Sequence, residues 1–231
     1  MAQSRVCGFS PRQVREAVWR WQYGWAQHFL AWTNRWLDAR VQFALTEEAR
    51  TAVANTARPL IILANHQSYG DILLIYAVVQ GRPMLWSGKK ILRRLPAAGA
   101  SAEVIRCAFL ERGGTSGDRE RMAAMARFAR EDGACIMLFP EGHRFRQRRR
   151  RRSPELRNVL QPRVGGFSIL LDELPGYGVL DLTIRRTAAR LGGTDVVVHG
   201  RMRTVPHGCT SREQRQDLIN SWWREKDHLL S

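Results

Sequence analysis

Residues 60–71 read LIILANHQSYGD, and this stretch decides the class of fold. Its first five residues are apolar without interruption, which is typical of a strand buried on both faces of a parallel sheet. Ser68 and Gly70, two residues that favour turns, follow the strand, and an apolar helical stretch begins beyond them. A buried strand, a turn and a helix in this order indicate an α/β fold, in which ligands bind at the carboxyl ends of the strands.

The same alternation continues along the chain, and it predicts an α/β domain with a mainly parallel, twisted sheet flanked by helices. We expect further strands at residues 83–87, 104–111, 134–139, 158–161, 179–184 and 195–202. We expect helices at residues 69–80, 90–95, 118–131, 166–174 and 212–230. We assign residues 56–231 to this domain and residues 1–55 to a separate, amphipathic helical segment.

The N-terminal segment is rich in tryptophan, since it holds five of the eight in the chain. Two interpretations of its helical spacing are open: the apolar face packs on the sheet, or it lies among lipid headgroups. The excess of tryptophan and the neighbouring arginines favour a segment that faces a membrane. The residues of this tryptophan stripe are Val14, Val18, Trp21, Trp25, Phe29, Trp32 and Trp36.

The chain is strongly basic, with 37 lysines and arginines against 21 acidic residues and a net charge of +16. This charge predicts an anionic partner, which is a nucleic acid, an acidic membrane surface or a phosphorylated substrate. Seven arginines fall within residues 144–152, where we expect a solvated loop. The four cysteines lie far apart without metal-binding spacing, so we expect neither a disulfide framework nor a zinc module.

The apolar runs are short, and none reaches the roughly 18–20 residues that a membrane-spanning helix needs. The first residues also lack the apolar block of a secretory signal. We therefore expect a peripheral protein at the cytoplasmic face of the membrane, without a transmembrane helix. A basic nucleic-acid-binding protein is the alternative from another class. The chain contains no nucleic-acid recognition motif, however, so we expect no nucleic acid among its partners.

His66 and Asp71 are the candidate catalytic pair. On a continuous helix they would point about 140° apart, so they can meet only across a turn. An imidazole held by a carboxylate is a general base, because the carboxylate fixes its tautomer and stabilises its protonated form. Taken alone, this spacing often occurs by chance, and a structural histidine explains it better.

Polar turn sequences follow two other predicted strands, and they strengthen the catalytic interpretation. Residues 109–114 read FLERGG, and residues 139–144 read FPEGHR. Because the carboxyl ends of parallel strands share one edge of a sheet, we expect these turns to form one cleft with the His–Asp pair. Arginine binds phosphate through two hydrogen bonds, so Arg112 and Arg144 are candidate ligands of an anionic group.

Three blocks in this order resemble the lysophosphatidic acid acyltransferase family of glycerolipid acyltransferases. Asn65, His66 and Asp71 match the Asn-His-x4-Asp motif of its first block. Residues 109–112 resemble the second block, and residues 139–144 resemble the third, which reads Phe-Pro-Glu-Gly-Thr-Arg in the family.

Two positions depart from the family pattern, and two other stretches are similar to one branch of the family. His143 replaces the usual threonine of the third block, and Glu111 stands where aspartate or another residue is common. Residues 161–184 and 223–227 are similar to the branch that contains lysocardiolipin acyltransferases and bacterial relatives. The departures leave the base and the arginines in place, and His143 is a candidate for altering the choice of acceptor headgroup.

The resemblance implies an O-acyltransferase, which moves a fatty acyl group from acyl-CoA or acyl carrier protein to the hydroxyl of a lysophospholipid. Lysophosphatidic acid is the expected acceptor, with lysocardiolipin as the alternative. The resemblance implies His66 as the general base, Asp71 as the residue that orients it, and no metal or bound cofactor. The residues that it implies in substrate binding are Asn65, Lys89, Lys90, Arg112, Glu141, Gly142, His143 and Arg144.

Overall fold

The structure, a computed structural model, describes residues 8–111, 115–146, 155–188 and 193–231. The helices in these ranges are α1 (Pro11–Leu37), α2 (Glu47–Ala54), α3 (Asp71–Val78), a 3₁₀ helix (Lys90–Arg94), α4 (Ala98–Val104), α5 (Ser116–Asp132), α6 (Val164–Glu173) and α7 (Arg212–Leu229). The strands are β1 (Ala39–Leu45), β2 (Leu60–Ala64), β3 (Met84–Lys89), β4 (Ala108–Leu110), β5 (Cys135–Leu138), β6 (Gly178–Ala188) and β7 (Thr194–Arg203).

The strands form one sheet, which has seven strands within the described ranges, in the order β1-β7-β6-β2-β5-β3-β4. Neighbouring strands are parallel except for β6 and β7, which pair antiparallel. All five residues of β2 are buried, as expected for an apolar strand that helices cover on both faces. The predicted α/β fold with a mainly parallel sheet is confirmed.

Helices cover both faces of this sheet. The chain runs from β2 past β5 to β3 and β4 and then returns to β5, so the direction of its crossovers reverses once. Because parallel crossovers are right-handed, α3 and α4 lie on one face and α5 lies on the other. Helix α1 packs on α3 and α4, while α6 packs between α5 and α7. The parallel strands β2, β5 and β3 therefore carry a core on each face, and their carboxyl ends meet at one edge.

The strand that we predicted at residues 158–161 is wrong. The backbone amides of this segment donate to side-chain carboxylates instead of a neighbouring strand. Asn158 N lies 2.5 Å from Asp227 Oδ1, and Leu160 N lies 3.0 Å from Glu141 Oε2. The apolar residues Val159 and Leu160 are buried, which explains why the segment resembles a strand in sequence.

Strand β1 and helices α2 and α4 were not predicted. Strand β1 lies at the edge of the sheet, where it pairs in parallel with β7 from Ala39 opposite Thr194 to Leu45 opposite Gly200. It is largely exposed, so its sequence lacks the apolar run that identified β2. The strand expected at residues 104–111 is shorter than predicted, because α4 occupies residues up to Val104 and β4 begins only at Ala108.

Helix α1 begins at a capping box, and the face that it packs on the sheet domain leaves out the tryptophans of the stripe. At its start, the Ser10 hydroxyl accepts from Gln13 N, and the Gln13 side chain accepts from Ser10 N. On its buried face, Trp19 Nε1 donates to the Met84 carbonyl at 3.2 Å. Tyr76 in α3 donates its hydroxyl proton to the Gln22 side chain at 2.5 Å.

The tryptophans of the stripe point away from the core. Trp21, Trp25, Trp32 and Trp36 are 45%, 57%, 51% and 70% exposed. The interpretation that the stripe packs on the sheet is therefore wrong for these four tryptophans, whereas Val18 of the same stripe packs against the core. Among the described residues, every helix is too short or too polar to cross a bilayer.

Candidate active site

The site begins where β2 ends, and Asn65 fixes this end of the strand. Asn65 is fully buried, and its side chain donates to the Ile184 carbonyl at 3.0 Å and accepts from Ile184 N at 2.7 Å. These two hydrogen bonds extend the pairing of β2 with β6 by one residue. Both polar groups of the amide are thus engaged by backbone groups, and its role in substrate binding stays a prediction.

His66 and Asp71 meet across the turn between β2 and α3. His66 Nδ1 lies 2.9 Å from Asp71 Oδ2, and the amides of Gln67 and Ser68 donate to the same oxygen at 2.7 and 2.8 Å. Burial would raise the pKa of Asp71, but the His66 hydrogen bond, the charge of Arg186 and the Ser68 amide outweigh it and lower that pKa below its ordinary value. Asp71 is therefore an ionised, fully buried acceptor for the imidazole.

The imidazole of His66 is oriented for proton transfer. Its ring stacks on Phe139, with the centroids 4.1 Å apart and the planes inclined by 17°. An ionised carboxylate only accepts hydrogen bonds, so Nδ1 carries the hydrogen of this contact with Asp71. Nε2 is therefore the ring nitrogen whose lone pair can accept a proton. The side chain is 16% exposed, so the ring is reached from solvent while most of it is enclosed.

Glu141 forms a hydrogen bond with the backbone of the turn between β2 and α3. Its Oε1 accepts from His66 N at 3.1 Å and its Oε2 accepts from Leu160 N at 3.0 Å. Glu141 is only 3% exposed, and burial raises its pKa to about 8 although these hydrogen bonds act in the opposite direction. Both carboxylate oxygens thus accept from backbone amides of the site, and contact of Glu141 with substrate stays a prediction.

The turn after β5 places Arg144 against Tyr69, in the turn between β2 and α3. Gly142 has a φ of +66°, which favours glycine, and its N–H donates to the Phe139 carbonyl at 2.9 Å. Arg144 Nη2 donates to the Tyr69 hydroxyl at 2.7 Å, and the guanidinium carbon lies 3.5 Å from the centre of the Tyr69 ring. The neighbouring His143 is half-buried. A partly exposed cation therefore lies beside the His–Asp pair, where an anionic group can reach it.

The model of the acyltransferase family matches residues 40–185, well over half of the chain. The chain belongs to the acyltransferase family. The match begins on β1 and includes all three sequence blocks, so the expected family is confirmed.

Two curated relatives share about a third of their residues with this chain over the matched parts. The lyso-ornithine lipid O-acyltransferase of Pseudomonas aeruginosa is 33% identical over 109 residues, which are 47% of this chain and 40% of that protein. The 1-acyl-sn-glycerol-3-phosphate acyltransferase of Haemophilus influenzae is 36% identical over 88 residues, which are 38% of this chain and 36% of that protein. The chain thus matches less than half the length of either relative.

A solved structure has the same fold as this chain. It is the 1-acyl-sn-glycerophosphate acyltransferase PlsC from Thermotoga maritima, with a TM-score of 0.63 and 20% sequence identity. The superposition covers 94% of this chain and 81% of that one, so it includes α1 as well as the sheet.

The lysines that we expected in substrate binding lie at the end of β3. Lys89 and Lys90 are both exposed, and Lys90 Nζ donates to Glu111 Oε1 at 2.6 Å. This hydrogen bond and the charges of Lys90 and Arg121 lower the pKa of Glu111. Arg112, the other expected phosphate ligand, lies outside the described residues, as do residues 147–154 of the arginine-rich stretch.

Arg186 is a residue of the candidate site that the sequence did not reveal. It lies on β6 and donates to the Asp71 oxygen that His66 does not contact, with Nη2 2.5 Å from Oδ1. Our sequence interpretation ended this strand at Ile184, four residues before its end at Ala188 and two residues before Arg186. The signal that could have found it is the pair of arginines, Arg185 and Arg186, that directly follows the predicted strand at residues 179–184.

We expect the raised pKa of Glu141 to make stability depend on pH. Between its ordinary value and about 8, folded protein keeps a proton that the unfolded chain releases, so the free energy of unfolding falls as pH rises through this window. The slope approaches about 1.4 kcal/mol per pH unit. Urea unfolding at pH 5, 6, 7 and 8 should therefore show Glu141→Gln gaining on the wild type with rising pH. The matched variant Glu48→Gln, at an exposed position, should show no such trend. Parallel curves for Glu141→Gln and wild type would contradict the prediction.

Proposed function

We propose that this acyltransferase moves a fatty acyl group from acyl-CoA or acyl carrier protein to the hydroxyl of a lysophospholipid, with lysophosphatidic acid as the acceptor. The hydrogen bond of 2.9 Å between His66 Nδ1 and Asp71 carries the proposal, because it makes the other ring nitrogen a general base. Membership of the acyltransferase family supports it, as do two relatives whose names describe acyl transfer to lysolipids.

In the proposed reaction, the acceptor hydroxyl attacks the carbonyl carbon of the acyl thioester while His66 Nε2 removes its proton. The new C–O bond forms, the C–S bond breaks, and the thiolate takes the proton from the imidazolium. Asp71 stays ionised throughout and stabilises the imidazolium, because its carboxylate is held by three further hydrogen bonds. The chain supplies this step with its own side chains, and the donor is a co-substrate.

Arg144 is the proposed contact for the phosphate of the acceptor, since it contacts Tyr69 in the turn between His66 and Asp71 and is partly exposed. Arg112 is a second proposed contact, by its place in the second block. Asn65 and Glu141 act on the backbone of the site in this proposal, because both are buried and bonded to backbone groups.

We expect Arg144→Ala to raise KM for lysophosphatidic acid by about 10-fold to 100-fold, because a charge-assisted contact with phosphate is lost. The uncharged acceptor monoacylglycerol should be affected much less. Arg58→Ala is the matched control, since Arg58 is exposed and precedes β2 at the opposite edge of the sheet. Equal losses with both acceptors would show that Arg144 maintains structure and does not bind the headgroup.

Lyso-ornithine lipid is a second candidate acceptor, because the Pseudomonas aeruginosa relative that carries this name matches 109 residues of the chain. A direct assay separates the candidates. Purified protein is given lysophosphatidic acid, lysocardiolipin or lyso-ornithine lipid, each with acyl-CoA or acyl carrier protein as donor, and products are read by lipid mass spectrometry. Failure to form an acylated lipid in every arm would overturn the proposed function. A salt-dependent gel shift with duplex and single-stranded DNA and with RNA tests the nucleic-acid alternative in parallel.

We also propose that the enzyme binds peripherally to an anionic membrane, at the cytoplasmic face where acyl-CoA and acyl carrier protein are found. The exposed tryptophans of α1 support this location, because indole rings favour the headgroup region of a bilayer. Arginines on the same helix, among them Arg20 and Arg35, are exposed and would attract acidic lipids.

A further inference from the structure

We propose that Arg186 is a positioning residue for the catalytic pair, which holds the Asp71 carboxylate in place and sets the pH at which His66 becomes a base. The inference deepens the proposed function and rests on His66 acting as its general base. Arg186 lies on β6, one residue beyond the end of the family match at residue 185, and outside all three sequence blocks.

The two oxygens of Asp71 have different partners. Oδ2 accepts from the His66 ring and from the amides of Gln67 and Ser68, all of which belong to the same turn. Oδ1 accepts from Arg186 Nη2 at 2.5 Å, and this donor comes from a strand more than 100 residues away. The turn by itself holds the carboxylate through one oxygen only. Arg186 holds the other oxygen and therefore fixes the rotation of the carboxylate.

A second contact connects Arg186 with the catalytic turn. Its Nη1 donates to the Gln67 side chain at 3.4 Å, so the guanidinium bridges two residues of the turn. Its own strand is held firmly at this point, because Asn65 forms two hydrogen bonds with Ile184, two residues before. In the antiparallel register Arg186 pairs with Val196 of β7, which holds the backbone from the other side.

The charge of Arg186 has a direct consequence for His66. A buried carboxylate without a compensating cation would favour the protonated imidazole, and a protonated imidazole is no base. Arg186 compensates the charge of Asp71, so we expect removal of this cation to favour the protonated imidazole.

Other charged groups also surround this pair within the described residues. From the segment after β5 come Glu141, which touches the His66 amide, and Arg144, which stacks on Tyr69. From α7 comes Lys226, which is fully buried and pairs with Asp181 on β6. Helix α1 adds the uncharged ring of Phe29, which lies against Gly70. The arginine that forms an ion pair with the Asp71 carboxylate is Arg186, so this is the contact to remove.

The test compares three variants by kinetics between pH 5 and 9. Arg186→Gln removes the charge and keeps a hydrogen-bond donor, whereas Arg186→Lys keeps the charge. Arg185→Gln removes the same charge from the next residue, whose side chain alternates to the other face of β6. We expect Arg186→Gln to lower kcat about 10-fold to 100-fold with little change in KM for the acceptor. Its acidic limb should move upward by about one pH unit, while the limbs of Arg186→Lys and Arg185→Gln stay with the wild type.

A second readout is independent of activity. The protonation midpoint of the His66 ring is measured by NMR in wild type and Arg186→Gln, and we expect a higher midpoint in the variant. An unchanged midpoint, or a loss confined to KM, overturns the role of Arg186. A raised midpoint in a protein that acylates none of the acceptors would leave the role of Arg186 standing and overturn the proposed function. If Arg186→Gln fails to fold by circular dichroism, Arg186→Met, which keeps the aliphatic stem, takes its place in the titration.

Discussion

Replacing His66 with alanine is expected to lower kcat by about 10²–10⁴-fold and to leave the fold intact. The imidazole is the proposed base, and its loss leaves the acceptor hydroxyl without a group to remove its proton. The ring lies at the edge of the core, 16% exposed, so its removal costs little packing. Acyl transfer is followed by lipid mass spectrometry, and circular dichroism checks the fold. His228→Ala, an exposed histidine of α7, is the matched control and should keep wild-type turnover.

Asp71→Asn belongs to the same expectation and separates orientation from charge. An amide can donate or accept at this site, but it cannot hold the imidazolium as a carboxylate does. We expect kcat to fall by a similar factor to that of His66→Ala, and the double variant to lose little more than either single one. Retention of most turnover in either single variant would show that the pair is not the catalytic centre.

The second large effect is expected at the membrane. Trp21, Trp25 and Trp32 changed together to alanine should release the protein from liposomes that contain anionic lipid. All three are roughly half exposed, so the substitution removes apolar area from the surface and leaves the core intact. Wild-type binding should weaken at high salt without vanishing, because each arginine near an acidic surface adds about 1 kcal/mol while the indole contribution is insensitive to salt.

Trp19→Ala is the matched control for this triple variant. Trp19 is 3% exposed and donates to the Met84 carbonyl, so its loss should destabilise the fold by about 3–5 kcal/mol. We expect the folded fraction of this variant still to sediment with liposomes. Wild-type protein that is folded but ignores anionic liposomes would refute the membrane proposal, as would a triple variant that binds them like the wild type.

The sequence was sufficient to predict the centre of the sheet and the contact between His66 and Asp71. Strand β2 could be predicted because five consecutive apolar residues satisfy burial on both faces in any parallel sheet. The meeting of His66 with Asp71 could be predicted because both lie on one short turn, whose backbone amides complete the site locally. The turn after β5 could be placed at the same edge because neighbouring parallel strands end together.

The strand at the edge of the sheet could not be predicted in this way. Strand β1 is largely exposed, so burial left no apolar pattern in its sequence, and only its pairing with β7 makes it a strand. Residues 158–161 show the opposite case. Their apolar side chains are buried as in a strand, but carboxylates from the turn after β5 and from α7 take their amides.

What the sequence by itself determined is therefore local: a buried strand, a turn that joins His66 to Asp71, and a helix with apolar residues at helical spacing. Only the tertiary structure decided which face of α1 is buried, since Trp19 and Gln22 follow the same helical spacing as the exposed tryptophans. It also decided that Glu141 holds the His66 amide and that Arg186 holds Asp71. The physical reason is that such contacts join residues 75 and 115 positions apart, and a hydrogen bond depends on where two strands end in space, which spacing along the chain does not encode.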